Sequence, residues 1–343
     1  MNGMDGIAQA QQLGPLLYRI AILAVLVVAL LGVIMWIFGC SIIPVPGACD
    51  VWWGVMGEPK VLIVHGDDGL GNPQLLQSAM ESKEHLGLRV RVAHLDTITL
   101  GNLKDYDLII VEQARTMSTK KMKMLVDYAL GGGRLVWTGD AGAEGAEGDM
   151  FLKAHEYAGL AICDDIDTQK MWEERGLRIS DVNCTWRSEI SDIGPWARRY
   201  EDGDRNFAIK LDEMLNIKYI GNYCQFKDCK NDLPDIGKLD AGDEREHPLV
   251  LGIRPGLRMN GDFAIVEEGS GLSTRVLGVD YGGSLITKDK VNLGNNFPII
   301  VTAGTGEKWV YYAIPPEQFV REEQEQKYYG LLENLYYGML RTS

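Results

Sequence analysis

Basic residues are scarce in this chain. Lysine and arginine together number 34 against 48 aspartates and glutamates, a formal net charge of −14. Such a surface repels a phosphate backbone, and no basic stripe interleaved with aromatics runs through the sequence, so nucleic acid is not expected as a partner. Histidine is rarer still, limited to His65, His85, His94, His155 and His247. Internal repeats and low-complexity tracts are absent. What is plentiful is apolar residue and glycine: 46% of the chain is hydrophobic and its 40 glycines are scattered rather than periodic. That composition, over 343 residues, suits one large domain or two small ones with a real core.

Cysteine occurs six times, never in a metal-ligand pattern. Cys40 and Cys49 bracket a proline-containing loop, Cys163 and Cys184 lie mid-chain, and Cys224 and Cys229 form C-x4-C. Sequence cannot choose among the possible pairings, and neighbour pairing is the expectation. A zinc site needs a second close pair or nearby histidines, and neither is there, so no metal is expected. Asn183-Cys184-Thr185 matches the N-glycosylation sequon, which matters only for an exported body. "DDID" at Asp164–Asp167 lacks the glycine and distal glutamate of an EF-hand and reads as a solvated acidic face.

One long hydrophobic run stands out. "IAILAVLVVALLGVIMWIF", from Ile20 to Phe38, carries no charge and no polar face at helical spacing, and it is long enough to cross a bilayer core. No A-x-A site follows it, and Phe38 occupies the place before Cys40 where a lipobox needs a small residue, so an uncleaved anchor is expected. Arg19 and the amino terminus flank it on one side, and the next basic residue beyond it is Lys60. The positive-inside bias then places the N-terminus in the cytoplasm and the body outside the plasma membrane. The expected organisation is a tail over 1–15, a transmembrane helix over 16–39, a stalk over 40–59 and a body over 60–343.

The body opens with a strand–helix rhythm. "KVLIVH" (Lys60–His65) is a buried-strand run, followed by "GDDGLGNP", in which Asn72 can N-cap a helix with Pro73 at its first position. Leu88–His94 and Asp107–Gln113 read as the second and third strands. "STKKMKMLVDYALGGG" is a capped helix ending in glycines, and "RLVWTGD" is the fourth strand. This alternation predicts right-handed crossovers and a parallel sheet with helices on both faces. From about 145 to 246 the rhythm is lost, and Trp172, Trp186 and Trp196 stand among charges in what reads as an irregular insertion. Order resumes with "HPLVLGI", read as a strand over His247–Ile253, then "DFAIVEE", "TRVLGVDY", "FPIIVTAG" and "KWVYYAI", before a closing helix with a wide apolar face that includes Leu332, Tyr336 and Met339. That face is expected to pack on the sheet.

This order of parts resembles the class I glutamine amidotransferase-like fold, in particular its trehalose-utilisation-type relatives. "KVLIVHGDDG", "LKDYDLIIVEQ", "LVDYALGGGRLVWTGDAG", "HPLVLGI" and "GEKWVYYAIPP" carry the likeness, which covers Lys60–Ala143 and, more loosely, His247–Arg341. It implies a flavodoxin-like α/β body. Active members of the family carry a cysteine at the strand-to-helix elbow, whose thiolate attacks the glutamine amide, with a histidine and an acid later in the chain. The matching elbow here is Thr138-Gly139-Asp140-Ala141-Gly142. It holds no cysteine, and of the histidines only His65 clearly stands at a strand tip. The glutaminase triad is absent.

Strand tips in such a sheet converge on a crevice, lined here by His65, Asp67, Asp68, Glu112 and Asp140. Those groups could hold a cation or act as acid and base on a glycoside, but acids in Asp/Gly turns more often cap helices and loop amides. "HGDDGLGN" lacks the lysine of a phosphate loop, and its two aspartates oppose an anion. The expectation is therefore a single-pass, membrane-anchored pseudoenzyme without cofactor. It would serve as a binding or assembly module of a membrane or cell-envelope complex, with protein partners or copies of itself. The terminal helix and the Trp-bearing insertion are its expected contact surfaces. The alternative is a membrane-tethered hydrolase or carbohydrate-binding enzyme using the acidic crevice; a surface-filament subunit would need a basic processing site that is missing.

Overall fold

The computed structural model describes residues 18–30, 57, 59–147, 149, 151–153, 161–162, 166–178, 180, 184–185, 195–202, 205–227, 229, 235–254, 256–287, 290–320 and 328–341. The chain divides into two compact units, one spanning Met1–Glu58 and the other Pro59–Thr342. In the first, residues 18–30 form a helix, α1, whose side chains are exposed. Among the described residues no helix is long and apolar enough to cross a membrane. The part of the expected span beyond residue 30, and the stalk apart from Gly57 and Pro59, lie outside them.

The body begins with β1 (Val61–His65), α2 (Pro73–Glu81) and β2 (Val90–His94). The short helix α3 (Leu100–Leu103), β3 (Leu108–Glu112), α4 (Thr119–Leu130) and β4 (Arg134–Thr138) follow. The caps are those the sequence announces. The Asn72 side chain accepts from Leu75 N at 3.0 Å with Pro73 behind it, and Ser118 Oγ accepts from Lys121 N at 3.3 Å. Each cap satisfies a backbone donor that the first helical turn leaves without a partner. β3 is buried at every position, as a strand covered on both faces must be. The chain steps from β1 to β2 in one direction and from β3 to β4 in the other, so right-handed crossovers put α2 and α4 on opposite faces of the sheet.

Beyond β4 come β5 (Phe151–Lys153), β6 (Ala161–Ile162), α5 (Ile166–Glu174), β7 (Cys184–Thr185), β8 (Ala197–Asp202) and β9 (Arg205–Lys210). Then follow α6 (Leu211–Leu215), β10 (Ile217–Asn222), α7 (Tyr223–Phe226), β11 (Asp235–Asp240), β12 (Arg258–Asn260) and β13 (Ala264–Glu268). The chain closes with β14 (Ser273–Asp280), β15 (Asn296–Ala303), β16 (Trp309–Tyr312) and α8 (Tyr329–Arg341). The main sheet has nine strands in the order β12-β11-β14-β15-β16-β4-β3-β1-β2.

Two expectations are corrected here. The sheet is mixed rather than parallel: β16, β4, β3, β1 and β2 run parallel, while β15, β14, β11 and β12 add antiparallel neighbours. The cause is the linkage, since β15 reaches β16 through the short turn Thr305–Glu307 rather than a helical crossover. Nor does His247 open a strand. Pro248 starts a 3-10 turn, Pro248–Val250, and the His247 ring accepts from Leu249 N at 3.2 Å as its cap.

The stretch from 145 to 246 is more ordered than its composition suggests. β5, β8 and β9 form a small antiparallel sheet against α4, β10 pairs with β13, and β11 enters the main sheet itself. The terminal helix α8 packs on the 3-10 turns Pro248–Val250 and Pro316–Val320 rather than across the sheet. Its Leu331, Leu332, Leu335, Tyr336 and Met339 are buried, so most of its apolar face is consumed within the body.

Candidate functional site

The parallel strands end together at His65, His94, Glu112, Thr138 and Tyr312, with His65 in register with both His94 and Glu112. This is the crevice the sequence points to. Its centre, however, is packed shut. Thr138 and Asp140 are 0% exposed and Ala141 is 1% exposed. The Thr138 hydroxyl donates to Val111 O at 2.8 Å. Gly139 N donates to Tyr312 O at 2.7 Å, and the Tyr311 hydroxyl donates to Gly139 O at 2.9 Å.

Asp140 lies in the turn after β4, and both oxygens of its carboxylate are engaged. Leu70 N donates to Oδ1 at 2.8 Å, and Arg115 Nε and Asn222 Nδ2 each donate to Oδ2 at 2.7 Å. Partial burial works against the Arg115 cation, but the hydrogen bond and charge of Asp140 outweigh it and raise its pKa above the ordinary arginine value. The pair is an ion bridge that binds the loop after β1, the loop after β3 and the end of β10 to the elbow. A carboxylate so engaged cannot also serve as a base toward a ligand.

The insertion closes the elbow from above. Trp196 Nε1 and Trp137 Nε1 donate to the same oxygen, Ala141 O, at 2.8 and 2.9 Å. Arg198, buried beside them, donates to Met117 O at 2.7 Å, Gly142 O at 2.6 Å and Glu144 O at 3.0 Å. Burial lowers its pKa to about 10, so it remains a cation at neutral pH, held by carbonyl dipoles.

The remaining predicted residues part company. Asp68 accepts from Thr116 N at 3.0 Å and from the Thr116 hydroxyl at 2.8 Å; it is a loop cap. Asp67 is 92% exposed, with Oδ1 3.2 Å from His94 Nε2. His65 Nδ1 donates to Gly66 O at 2.8 Å, and its ring meets that of His94 edge-on at 5.3 Å. His94 thus also stands at a strand tip, correcting the reading that gave that place to His65 alone; its ring accepts from Asp96 N at 3.2 Å. Glu112 is buried, and its Oε1 accepts from Asn72 N at 2.5 Å, a donor shared with Glu317 Oε1 at 2.9 Å. Burial first, and then the charge of Glu317, push the Glu112 carboxyl well above the usual carboxylate range.

Sequence reasoning missed Arg115, Asn222, Trp196, Arg198 and Glu317. The closing position of β2 was a usable signal for His94. Nothing local marks Asn222 or Glu317, which come to the crevice from distant segments. Among the described residues, no group of three or more His, Cys, Asp or Glu side chains could hold a metal ion. Cys224 and Cys229 are joined as expected, with Cα atoms 5.5 Å apart. Cys40, Cys49, Cys163, Asn183 and Trp186 lie outside the described residues, as does the side chain of Cys184. A groove of about 360 Å³ is lined by residues of β10, β13, β14 and β15, among them Val266, Glu268, Arg275 and Phe297, and by none of the strand-tip residues.

No family model matches the chain, and no curated protein matches it. Among solved structures it is similar to a ThuA-like protein from Bacteroides uniformis, with a TM-score of 0.46, 15% identity, and coverage of 82% of this chain and 90% of that one. It is similar also to a beta-galactosidase from Rahnella sp. R3, with a TM-score of 0.45 and 15% identity over 82% of this chain and 31% of that one. The mmIFT52 N-terminal domain gives a TM-score of 0.42 and 13% identity over 82% of this chain and 96% of that one. At these values the likenesses carry no conclusion about activity. The α/β class rests on the chain's own sheet: a mixed, nine-stranded α/β body with a filled elbow.

Proposed function

We propose that this chain is a membrane-anchored, non-catalytic binding or assembly module built on an amidotransferase-like α/β frame. One observation carries the reading: the place where such a frame would do chemistry is filled by the chain's own side chains, with Thr138, Asp140 and Ala141 no more than 1% exposed. A crevice that is to bind and turn over a ligand keeps its polar groups free to reach it. Here Asp140 is taken by Arg115 and Asn222, and Asp68 by Thr116. The apolar run Ile20–Phe38 supports an anchor, and the single flanking Arg19 supports a cytoplasmic N-terminus with the body outside the plasma membrane. In this reading the chain works through protein partners or copies of itself, with neither cofactor nor nucleic acid.

A second reading keeps a ligand at the corner of the crevice where His65, His94 and Asp67 reach solvent. Purifying the full-length protein from its native membrane in mild detergent, with mass spectrometry of what accompanies it, separates the two. A stoichiometric partner or a discrete oligomer is expected. A lone monomer that loses a measurable sugar- or cation-dependent activity on Asp67→Ala, with the fold intact, would overturn the assembly reading.

A further inference from the structure

At the back of the crevice two glutamates meet. Glu112 ends β3, and Glu317 lies in the turn Pro316–Val320 that follows β16. Each sets an Oε1 on the backbone N–H of Asn72, at 2.5 and 2.9 Å, so the two carboxyl groups converge on one donor. Their exposures are 0% and 1%. Two buried carboxylates brought this close repel each other, and one proton held between them relieves the like charges. The loop backbone is shaped to the pair: Gly71, at φ +125°, passes so close to Glu112 Cγ that any Cβ would collide with the carboxyl.

The surroundings give the pair its leverage. Asn72 is the N-cap of α2, and α2 packs on the turn that carries Glu317. The same turn supports α8, and Phe319 O accepts from Tyr328 N at 2.7 Å. Other ionisable groups nearby are engaged elsewhere. His65, beside Glu112 on β1, is bonded to Gly66 O. In the loop Gly66–Asn72, Asp67 faces His94 and Asp68 is held by Thr116. β4 presents Thr138, and α2 has no acidic residue in its first turn. On the outer side of α8, Glu333 pairs with His85 at 3.3 Å. The charge that acts on Glu112 is that of Glu317.

We propose that Glu112 and Glu317 share one proton and form a latch that keeps α8 docked through the turn Pro316–Val320, and that loss of this proton as pH rises loosens the turn and the helix. The sign follows from linkage. A carboxyl whose folded-state ionisation is displaced upward binds more protons folded than unfolded, so its stabilisation is complete at low pH and is lost as pH climbs through the raised value. The latch stands whether or not the assembly reading holds, because it needs no partner.

Amide hydrogen exchange on the full-length chain tests it, comparing wild type, Glu112→Gln and Glu317→Gln at about pH 6 and about pH 9 after correction for intrinsic rates. In the wild type, protection of Tyr329–Arg341 should fall at least about tenfold between the two conditions, the equivalent of one pKa unit. Glu112→Gln, which offers a permanent donor in place of the shared proton, should change less than about twofold. Should that variant fail to fold, Glu317→Gln makes the same comparison. Protection of α8 that is independent of pH in the wild type, or that falls equally in a folded glutamine variant, overturns the latch.

Discussion

Trp137 and Trp196 donate their indole N–H groups to one oxygen, the carbonyl of Ala141, at 2.9 and 2.8 Å. One of these residues belongs to β4, and the other arrives with the segment that leads into β8. A carbonyl has two lone pairs, and here both are satisfied from above and below the elbow. Either tryptophan changed to phenylalanine keeps most of the packing and removes one donor, for a loss of about 1 kcal/mol. The double change strands a buried acceptor and should cost more than the sum of the two. Urea denaturation of the four members of the cycle measures the coupling; strict additivity would show that the shared carbonyl is not a joint.

Asp140 should behave as a structural ion. Asp140→Asn turns an amide donor toward Arg115 and Asn222 and leaves the guanidinium without its counter-charge. Breaking a buried pair from one side is costly. Because 28% of the Arg115 side chain remains exposed, the loss should be about 2–3 kcal/mol. A variant as stable as wild type in chemical denaturation would contradict the bonding described for the elbow.

The two aspartates of the loop after β1 should separate cleanly. Asp68→Ala removes two hydrogen bonds to Thr116 and should cost about 1–2 kcal/mol. Asp67→Ala, at a 92% exposed position, should fall within about 0.5 kcal/mol of wild type. Thermal melts of the two variants side by side decide it, and similar losses would mean that the contact of Asp67 with His94 carries stability despite its exposure.

For global stability, wild type should lose melting temperature as pH rises above the ordinary carboxylate range, because burial and Glu317 hold the Glu112 proton on in the folded state only. Glu112→Gln should flatten that slope and melt higher than wild type at alkaline pH. Differential scanning calorimetry across the pH range reads both.

The proposed anchor has its own test. Leu26→Arg places a charge within Ile20–Phe38, at a cost of about 3 kcal/mol at mid-bilayer. The variant should shift from the membrane to the soluble fraction on cell fractionation. Unchanged partition would remove this segment from consideration as the anchor.

The parallel half of the sheet and its caps were legible in the sequence because their signals are local. Asn72 and Ser118 sit beside the helices they start, and β1 and β3 are short apolar runs between polar turns. The filled elbow was legible only by halves. The missing cysteine could be read off Thr138–Gly142, but the groups that occupy the space, Asn222, Trp196, Arg198 and Glu317, are brought there by tertiary packing and carry no motif. Strand direction was lost for the same reason. "FPIIVTAG" and "KWVYYAI" announce strands, whereas whether they run with or against β4 depends on the Thr305–Glu307 turn between them.

The pairing of β4 with β16 sets the order in which this protein can be made. Arg134–Thr138 has its neighbour in Trp309–Tyr312, far along the chain from it. Until Trp309–Tyr312 has been made, one edge of a central strand with an apolar middle, Leu135–Trp137, waits unpaired. Contacts of such long range close slowly, and open strand edges invite pairing with other chains. The open edge of β4 is therefore where association with other chains would begin if folding stalls before β16 docks.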